Sequence, residues 1–292
     1  MQTLEVLDKK IRTAEDLLSV VKSMKTLSAV NIRHYEMAVE SLEAYRNIVD
    51  KGWQILFSHF IPDSGNLAEK HAVIIVIGTD QGMCGQFNEI IAAKAMTEYK
   101  VLKKQGADVA FWSVGEKVAA AITDENVTTE LHYNAPGSLN TVNIMVADLT
   151  EKLENRKSKH GTDYFYLCHN ILSGKTSYDQ TCYPVLPLDK SWVDKRNIQW
   201  PERCLPLLGL PPTEMFRHLF RQYLYISLYR ALVQSLAGEN LARLTAMQAA
   251  EKNIEELEAD LKKQHREERQ AGITNELLDI ISGFEALSDD FS

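Results

Sequence analysis

The chain is poor in everything that would staple it, anchor it in a bilayer or draw it to nucleic acid. Four cysteines occur in 292 residues, Cys84, Cys168, Cys182 and Cys204, far apart, with no C-x-x-C pair and no histidine at finger spacing. Neither a zinc site nor a disulfide framework is indicated, and a reducing, cytoplasmic compartment is the expectation. No apolar run approaches the ~20 residues of a bilayer-spanning helix, and the opening MQTLEVLDKKIRTAEDL is charged and amphipathic, so a chain neither secreted nor inserted directly in a membrane is expected. Positive charge is not in excess. A formal net charge of -8 without a Lys/Arg cluster excludes a nucleic-acid partner held by phosphate neutralisation. What remains is an ordinary globular composition, 45% apolar and 25% charged, at a length of one large domain or two.

Proline is missing where it matters most. All eight prolines lie between Pro62 and Pro212, so neither the first 61 residues nor the last 80 contain the strongest breaker of helix interiors. Both ends carry helical periodicity. Leu4, Leu7, Ile11, Ala14, Leu18 and Val21 are spaced by three and four, and after a local shift the stripe resumes through Met24, Leu27, Tyr35, Ala38, Leu42, Tyr45 and Val49. Phe216, Leu219, Tyr223, Ile226, Val233, Leu236, Leu244, Met247, Ile254, Leu257 and Leu261 form its counterpart, followed by Ile273, Leu277, Leu278 and Ile281. At 1.5 Å per residue these are helices of roughly 80 and 100 Å, longer than a compact domain is wide. Narrow seams at both ends predict an antiparallel coiled coil of the terminal helices. The alternative is two ordinary helices, each broken near Gly52, Gly238 or Gly272. The apolar end from Gly272 to Leu287 suggests insertion into another protein.

Between the prolines, strand-like runs alternate with helical ones: strands at His71–Gly78, Asp108–Ser113 and Val127–Leu131, helices at Phe87–Lys104, Gly115–Ile122 and Leu139–Lys157, and strands at Asp163–Leu172 and Thr181–Leu188. This order predicts a mostly parallel, Rossmann-like α/β domain, the last two strands forming an antiparallel edge across the turn SGKTS. The predicted organisation is therefore a helix over 1–61, a central domain with its linker over 62–212, and a helix over 213–292.

The turn after the first strand, GTDQGMCGQFN, is where such domains place phosphates. Its glycines, Gly78, Gly82 and Gly85, are spaced G-x-x-x-G-x-x-G and not G-x-G-x-x-G, and no Lys or Arg occurs between Lys70 and Lys94. No acidic residue ends the second strand to hold a ribose. A nucleotide-dependent enzyme on this domain stays the alternative reading, and a self-associating coiled-coil scaffold a third. His132 and His169 are the best acid–base candidates, but no nucleophile elbow, H-E-x-x-H or paired metal carboxylate accompanies them, so no catalytic residue, metal or cofactor is assigned.

Four blocks carry a specific resemblance: VVKSMKTLSAVNIR, IGTDQGMCGQFN, SLAGENLARLTAMQAAEKN and RQAGITNELLDIISGFEAL. In this order, and covering both ends, the chain resembles the gamma subunits of F-type ATP synthases. The resemblance implies a non-catalytic rotor shaft in the ring of alpha and beta subunits, its foot binding the epsilon subunit and the c-subunit ring. It also implies a peripheral position on the cytoplasmic face of a bacterial membrane. It points to Met24, Lys25, Gln81, Glu239, Asn240, Arg243, Arg269, Gln270, Thr274 and Glu276 as contacts with the alpha/beta ring. The chain departs from the family's pattern with Gln81 in place of an Arg, Gln248 in place of a Lys, and Glu251–Lys252 in place of Thr-Asp. These departures are similar to those of the alternate, sodium-type operons.

Overall fold

The computed structural model describes residues 4–59, 71–160, 164–174, 177–186 and 209–289, with isolated positions between 187 and 208. Most of the linker expected over 189–212 lies outside the described residues. Ten elements follow in chain order: α1 (Leu4–His59), β1 (His71–Ile77), α2 (Phe87–Lys104), β2 (Asp108–Val114), α3 (Glu116–Asp124), β3 (Thr129–Tyr133), α4 (Leu139–His160), β4 (Tyr164–Ser173), β5 (Ser177–Leu186) and α5 (Pro212–Asp289). The two proline-free ends are single helices of 56 and 78 residues. Neither is broken at a glycine. Gly52 is instead a place of close approach, where an added Cβ would lie 2.8 Å from Leu219.

The burial along α1 corrects one detail of the stripe. Leu7, Ala14, Val21, Ser28, Tyr35, Val49 and Leu56 are buried and Leu42 partly so, a seven-residue repeat without the expected shift. Leu27, assigned to the seam, is 61% exposed, and Ser28 beside it is 2% exposed. A reading based on apolarity passes over a small serine that fits a tight seam.

Contacts divide the chain into two units, residues 1–27 with 244–292, and residues 28–243. In the first unit the start of α1 runs antiparallel to the later part of α5. Ion pairs mark the register: Lys25 Nζ to Glu251 at 2.5 Å, Lys22 to Glu255 at 3.2 Å, Lys262 to Glu15 at 2.9 Å and His265 to Asp8 at 3.2 Å. Val21, Met247 and Leu261 are buried between them. Most of these charges are solvated and screened, so they set register more than stability.

The second unit holds a five-stranded sheet in the order β3-β2-β1-β4-β5, parallel apart from the antiparallel edge strand β5. The central strand β1 is buried on both faces, which is why HAVIIVI reads as a continuous apolar run and not an alternating one. One face packs on α2 and α3 through Ile74, Val76, Ile91, Phe111, Val118 and Ile122. The other packs on α4 and on the unit's segments of α1 and α5, a core that includes Trp53, Leu56, Val73, Ile75, Leu149 and Leu232.

The cysteines require a correction. Cys168 on β4 faces Cys182 on β5 across the antiparallel ladder, Cα atoms 4.0 Å apart, and the two form a disulfide. Fourteen residues of sequence conceal the pair until the hairpin is formed. The expectation of a reducing compartment therefore gains no support from unpaired cysteines. Cys84 is buried and free, and Cys204 is exposed and free.

Candidate functional site

The glycine-rich turn builds its own interior. Gly78 packs so closely under α2 and α3 that an added Cβ would lie 2.5 Å from both Asn88 Oδ1 and Val118 Cβ. Asn88, in the first turn of α2 and 4% exposed, accepts the backbone N–H of Thr79 at 2.9 Å and donates to Thr79 Oγ1 at 3.0 Å. Thr79 Oγ1 donates in turn to the carbonyl of Gln81 at 2.8 Å. Met83 and Gly85 take the left-handed backbone that completes the reversal.

One side chain decides what the turn can hold. Asp80 Oδ1 accepts the backbone N–H of Glu116 at the start of α3, and Oδ2 accepts the N–H of Ala135 in the β3–α4 connection, both at 2.9 Å. Helix N-termini and loop amides at the carboxyl ends of parallel strands are where an open α/β sheet receives phosphate. Here a carboxylate of the chain takes those donors.

The turn then seats on α5. Phe87 lies against Gly238, where an added Cβ would stand 3.3 Å from its ring, and Asn170 donates to the Phe87 carbonyl at 3.2 Å. Cys84, Phe87, Ala242 and Tyr178 form a small apolar cluster there. Around this seat α5 is buried on nearly every side from Ala231 to Arg243. Three of its polar residues have partners, although among the described residues the Ser235 hydroxyl and Arg243 Nε do not. Arg243 Nη2 donates to Glu239 Oε1 at 2.6 Å, their side chains 10% and 11% exposed. Asn240 donates to the Leu236 carbonyl at 2.8 Å and accepts from Asn31 on α1 at 3.3 Å. Burial pushes the Glu239 carboxyl above its ordinary range, and the Arg243 charge pulls it partly back. The Cys84 thiol is raised, first by burial.

The ten residues singled out from sequence fall into three groups. Glu239, Asn240 and Arg243 are brought together, but inside the second unit, with their polar atoms turned to one another and to α1. Gln81 is exposed, with Met83 beside it 59% exposed. In the first unit Met24 and Lys25 are half-buried, and Lys25 is held by Glu251, one of the departing residues. Arg269, Gln270, Thr274 and Glu276 are exposed, interleaved with half-exposed Ile273, Leu277 and Leu278. Sequence reasoning missed Asp80, Asn88 and Gly238. Of these only Gly238 had a readable signal, a glycine within strong helical periodicity.

Neither histidine candidate assembles a catalytic set. His132 Nδ1 meets the Ser113 hydroxyl at 2.9 Å, and His169 Nε2 meets Gln234 Oε1 at 3.1 Å. Among the described residues no cluster of His, Cys, Asp or Glu offers a metal site, and no helix is long and apolar enough to cross a membrane.

Two solved structures share this fold. The chain superposes on a chain of the Euglena gracilis mitochondrial ATP synthase OSCP/F1/c-ring structure with a TM-score of 0.67 and 18% identity, over 97% of this chain and 94% of that one. A chain from the Tetrahymena thermophila mitochondrial ATP synthase central stalk and c-ring matches with a TM-score of 0.55 and 16% identity, over 79% and 99%. These likenesses define the fold class, an α/β domain in a chain with long N- and C-terminal helices.

Two further comparisons narrow the class. The family model described as ATP synthase matches residues 3–287. The chain is also similar to the ATP synthase gamma chain of Geobacter metallireducens, 28% identical over 98% of this chain and 99% of that one, and to that of Thermobifida fusca, 26% identical over 98% and 96%. The chain belongs to the gamma-chain family of ATP synthases.

Proposed function

We propose that this chain is the central rotor shaft of a bacterial ATP synthase. It couples ion flow through a c-subunit ring to conformational change in the catalytic sites of the surrounding alpha and beta subunits, and it catalyses nothing itself. It works by differential contact: an asymmetric shaft favours a different state in each neighbour, and turning it exchanges those preferences. The foot binds the epsilon subunit and the c ring, and the complex sits on the cytoplasmic face of the membrane. The coupled ion is selected in the c ring and not by this chain.

The observation that carries the reading is the end of α5. The register of Asp8 with His265 places the start of α1 near residue 265, so α5 continues beyond its mate within the first unit. There Ile273, Leu277, Leu278, Ile280 and Ile281 are 49–66% exposed on one segment. Such an apolar surface on a charged helix fits insertion into another protein. Arg269, Gln270, Thr274 and Glu276 beside it are assigned to that contact, the Arg as a forked donor for carboxylates. Gln81 is assigned to a second contact at the turn. Glu239, Asn240 and Arg243 act differently from the others, bracing α5 internally and against α1.

Co-purification with the alpha and beta subunits of the same organism tests the reading. The expected product is an ATPase-active complex containing one copy of this chain, and an isolated chain that binds no ATP or ADP. Nucleotide binding by the isolated chain, with no complex formed, would favour an enzyme on the α/β domain instead.

A further inference from the structure

On the sheet face opposite the disulfide, a half-open cavity of about 360 Å³ lies between β4, β5 and the second unit's segments of α1 and α5. This is within the size range of small-molecule sites. Val49, Ile171 and Ile226 give it apolar walls, and Thr181, Tyr183 and Ser227 contribute hydroxyls. We propose that it binds a small organic oxyanion that also carries a hydroxyl, with the anionic group on Arg230 and the hydroxyl on His169.

His169 supplies the first half of the argument. Its side chain lines the cavity, the residue is 1% exposed, and Nδ1 has no hydrogen-bond partner. Nε2 is 3.1 Å from Gln234 Oε1, an acceptor, so the ring's single proton belongs on Nε2 and Nδ1 is an acceptor without a donor. Burial holds the imidazole neutral, its pKa lowered to about 4, and the Arg230 charge adds to the effect. An unmatched buried acceptor costs about 1–3 kcal/mol, which a ligand O–H relieves.

Arg230 supplies the second half. Its side chain also lines the cavity, and its charge bears on both His169 and Tyr183. Among the described residues its ion pair is one contact of 3.6 Å to Glu43, which already accepts from Arg46 at 3.1 Å. Arg46 is further held by Asp50 at 3.6 Å, so of the two guanidiniums Arg230 has the free donor capacity. A carboxylate or phosphate competing with one shared acid can take its fork in bidentate fashion. Arg46 and Asp50 also line the cavity, ion-paired to each other.

Titration calorimetry of the full chain with glycerol 3-phosphate, inorganic phosphate and glycerol tests the proposal. Glycerol 3-phosphate should bind at least tenfold more tightly than either fragment. Arg230→Gln should weaken it at least tenfold, and ¹⁵N spectra of the histidines should show the His169 Nδ1 resonance moving on binding. Thr181→Val, a milder change at the wall than any at His169, should weaken binding two- to fivefold with unchanged melting. Absence of binding by all three probes, or binding indifferent to Arg230→Gln, would overturn the proposal. So would protection of Arg230 from phenylglyoxal by assembly with alpha, beta and epsilon but by none of the probes, an outcome that assigns the cavity to a partner's acidic side chain.

Discussion

Replacing Arg243 with methionine isolates what the buried pair on α5 contributes. The substitution keeps most of the volume and removes the guanidinium 2.6 Å from Glu239, leaving a carboxylate whose side chain is 11% exposed without its cation. Breaking a buried pair from one side costs about 3–5 kcal/mol, because the remaining charge is neither solvated nor neutralised. At roughly 2–4 °C per kcal/mol for a chain of this size, the melting point should fall by about 10 °C at pH 8. The loss should depend on pH with a defined sign. Glu239 already titrates above its ordinary 4.5, so the folded state binds more protons than the unfolded one and stability falls as pH rises through the raised value. Removing Arg243 raises it further, since burial and the Asp80 charge then act unopposed. The penalty should therefore be largest at pH 8 and shrink as pH falls toward 4.5, where the folded-state carboxyl takes up a proton and needs no cation. The double variant Glu239→Met/Arg243→Met should recover most of the loss. Thermal melts of the purified full chain at pH 8 and pH 5 measure all three. A single variant within about 1 kcal/mol of the parent at pH 8, or a penalty independent of pH, would refute the reasoning.

Other perturbations probe the turn, the sheet and the shaft surface. Gly78→Ala drives a methyl into Asn88 and Val118 and should cost about 1–3 kcal/mol by overpacking, whereas Gly82→Ala, with open space around it, should cost little; parallel melts compare them. His169 is neutral when folded, with its pKa lowered from 6.5 to about 4, so the folded state binds fewer protons and stability is lost as pH falls from 6.5 toward 4. The shift corresponds to about 3 kcal/mol at most, and His169→Gln should flatten that slope in melts taken across the range. Glu239, raised above 4.5, acts in the opposite sense and remains in that variant. Gln81→Arg places a cation on the exposed turn and should alter ATP hydrolysis and its coupling to ion transport in the assembled enzyme; unchanged rates and coupling would remove Gln81 from the contact set.

Sequence periodicity read the fold well wherever burial and apolarity coincide. The β1 run, the alternating strands and helices and the antiparallel edge could all be read in the chain, because a two-sided sheet needs continuous apolar strands. The failures share one cause, polar or small residues whose burial local sequence does not announce. Ser28 continues the seven-residue repeat of α1, yet its hydroxyl diverted the stripe to Leu27. Glu239, Asn240 and Arg243 read as helix surface, but Asn31, 209 residues from Asn240, and the adjacent turn of α5 give them partners. Cys168 and Cys182 likewise meet only once the hairpin sets their register. Local sequence states what a side chain needs, and only the fold states who supplies it.

Asp80 shows how that exchange makes a structural part out of a binding fold. The strand ends keep the geometry of a phosphate site: Gly115 has a φ of 107°, an added Cβ there would lie 2.6 Å from the Thr79 nitrogen, and α3 starts immediately after it. In a nucleotide-binding domain such amides wait for a ligand, and the loops around them move as it comes and goes. Here one carboxylate ties the β1 turn to α3 and to the β3–α4 connection, and Phe87 and Asn170 tie the same turn to α5 and β4. Three loops that would each open independently become one cross-linked layer against the helix. In the proposed rotor, compliance at this junction would absorb motion, and a turn cross-linked from within is stiffer than one whose amides wait for a ligand.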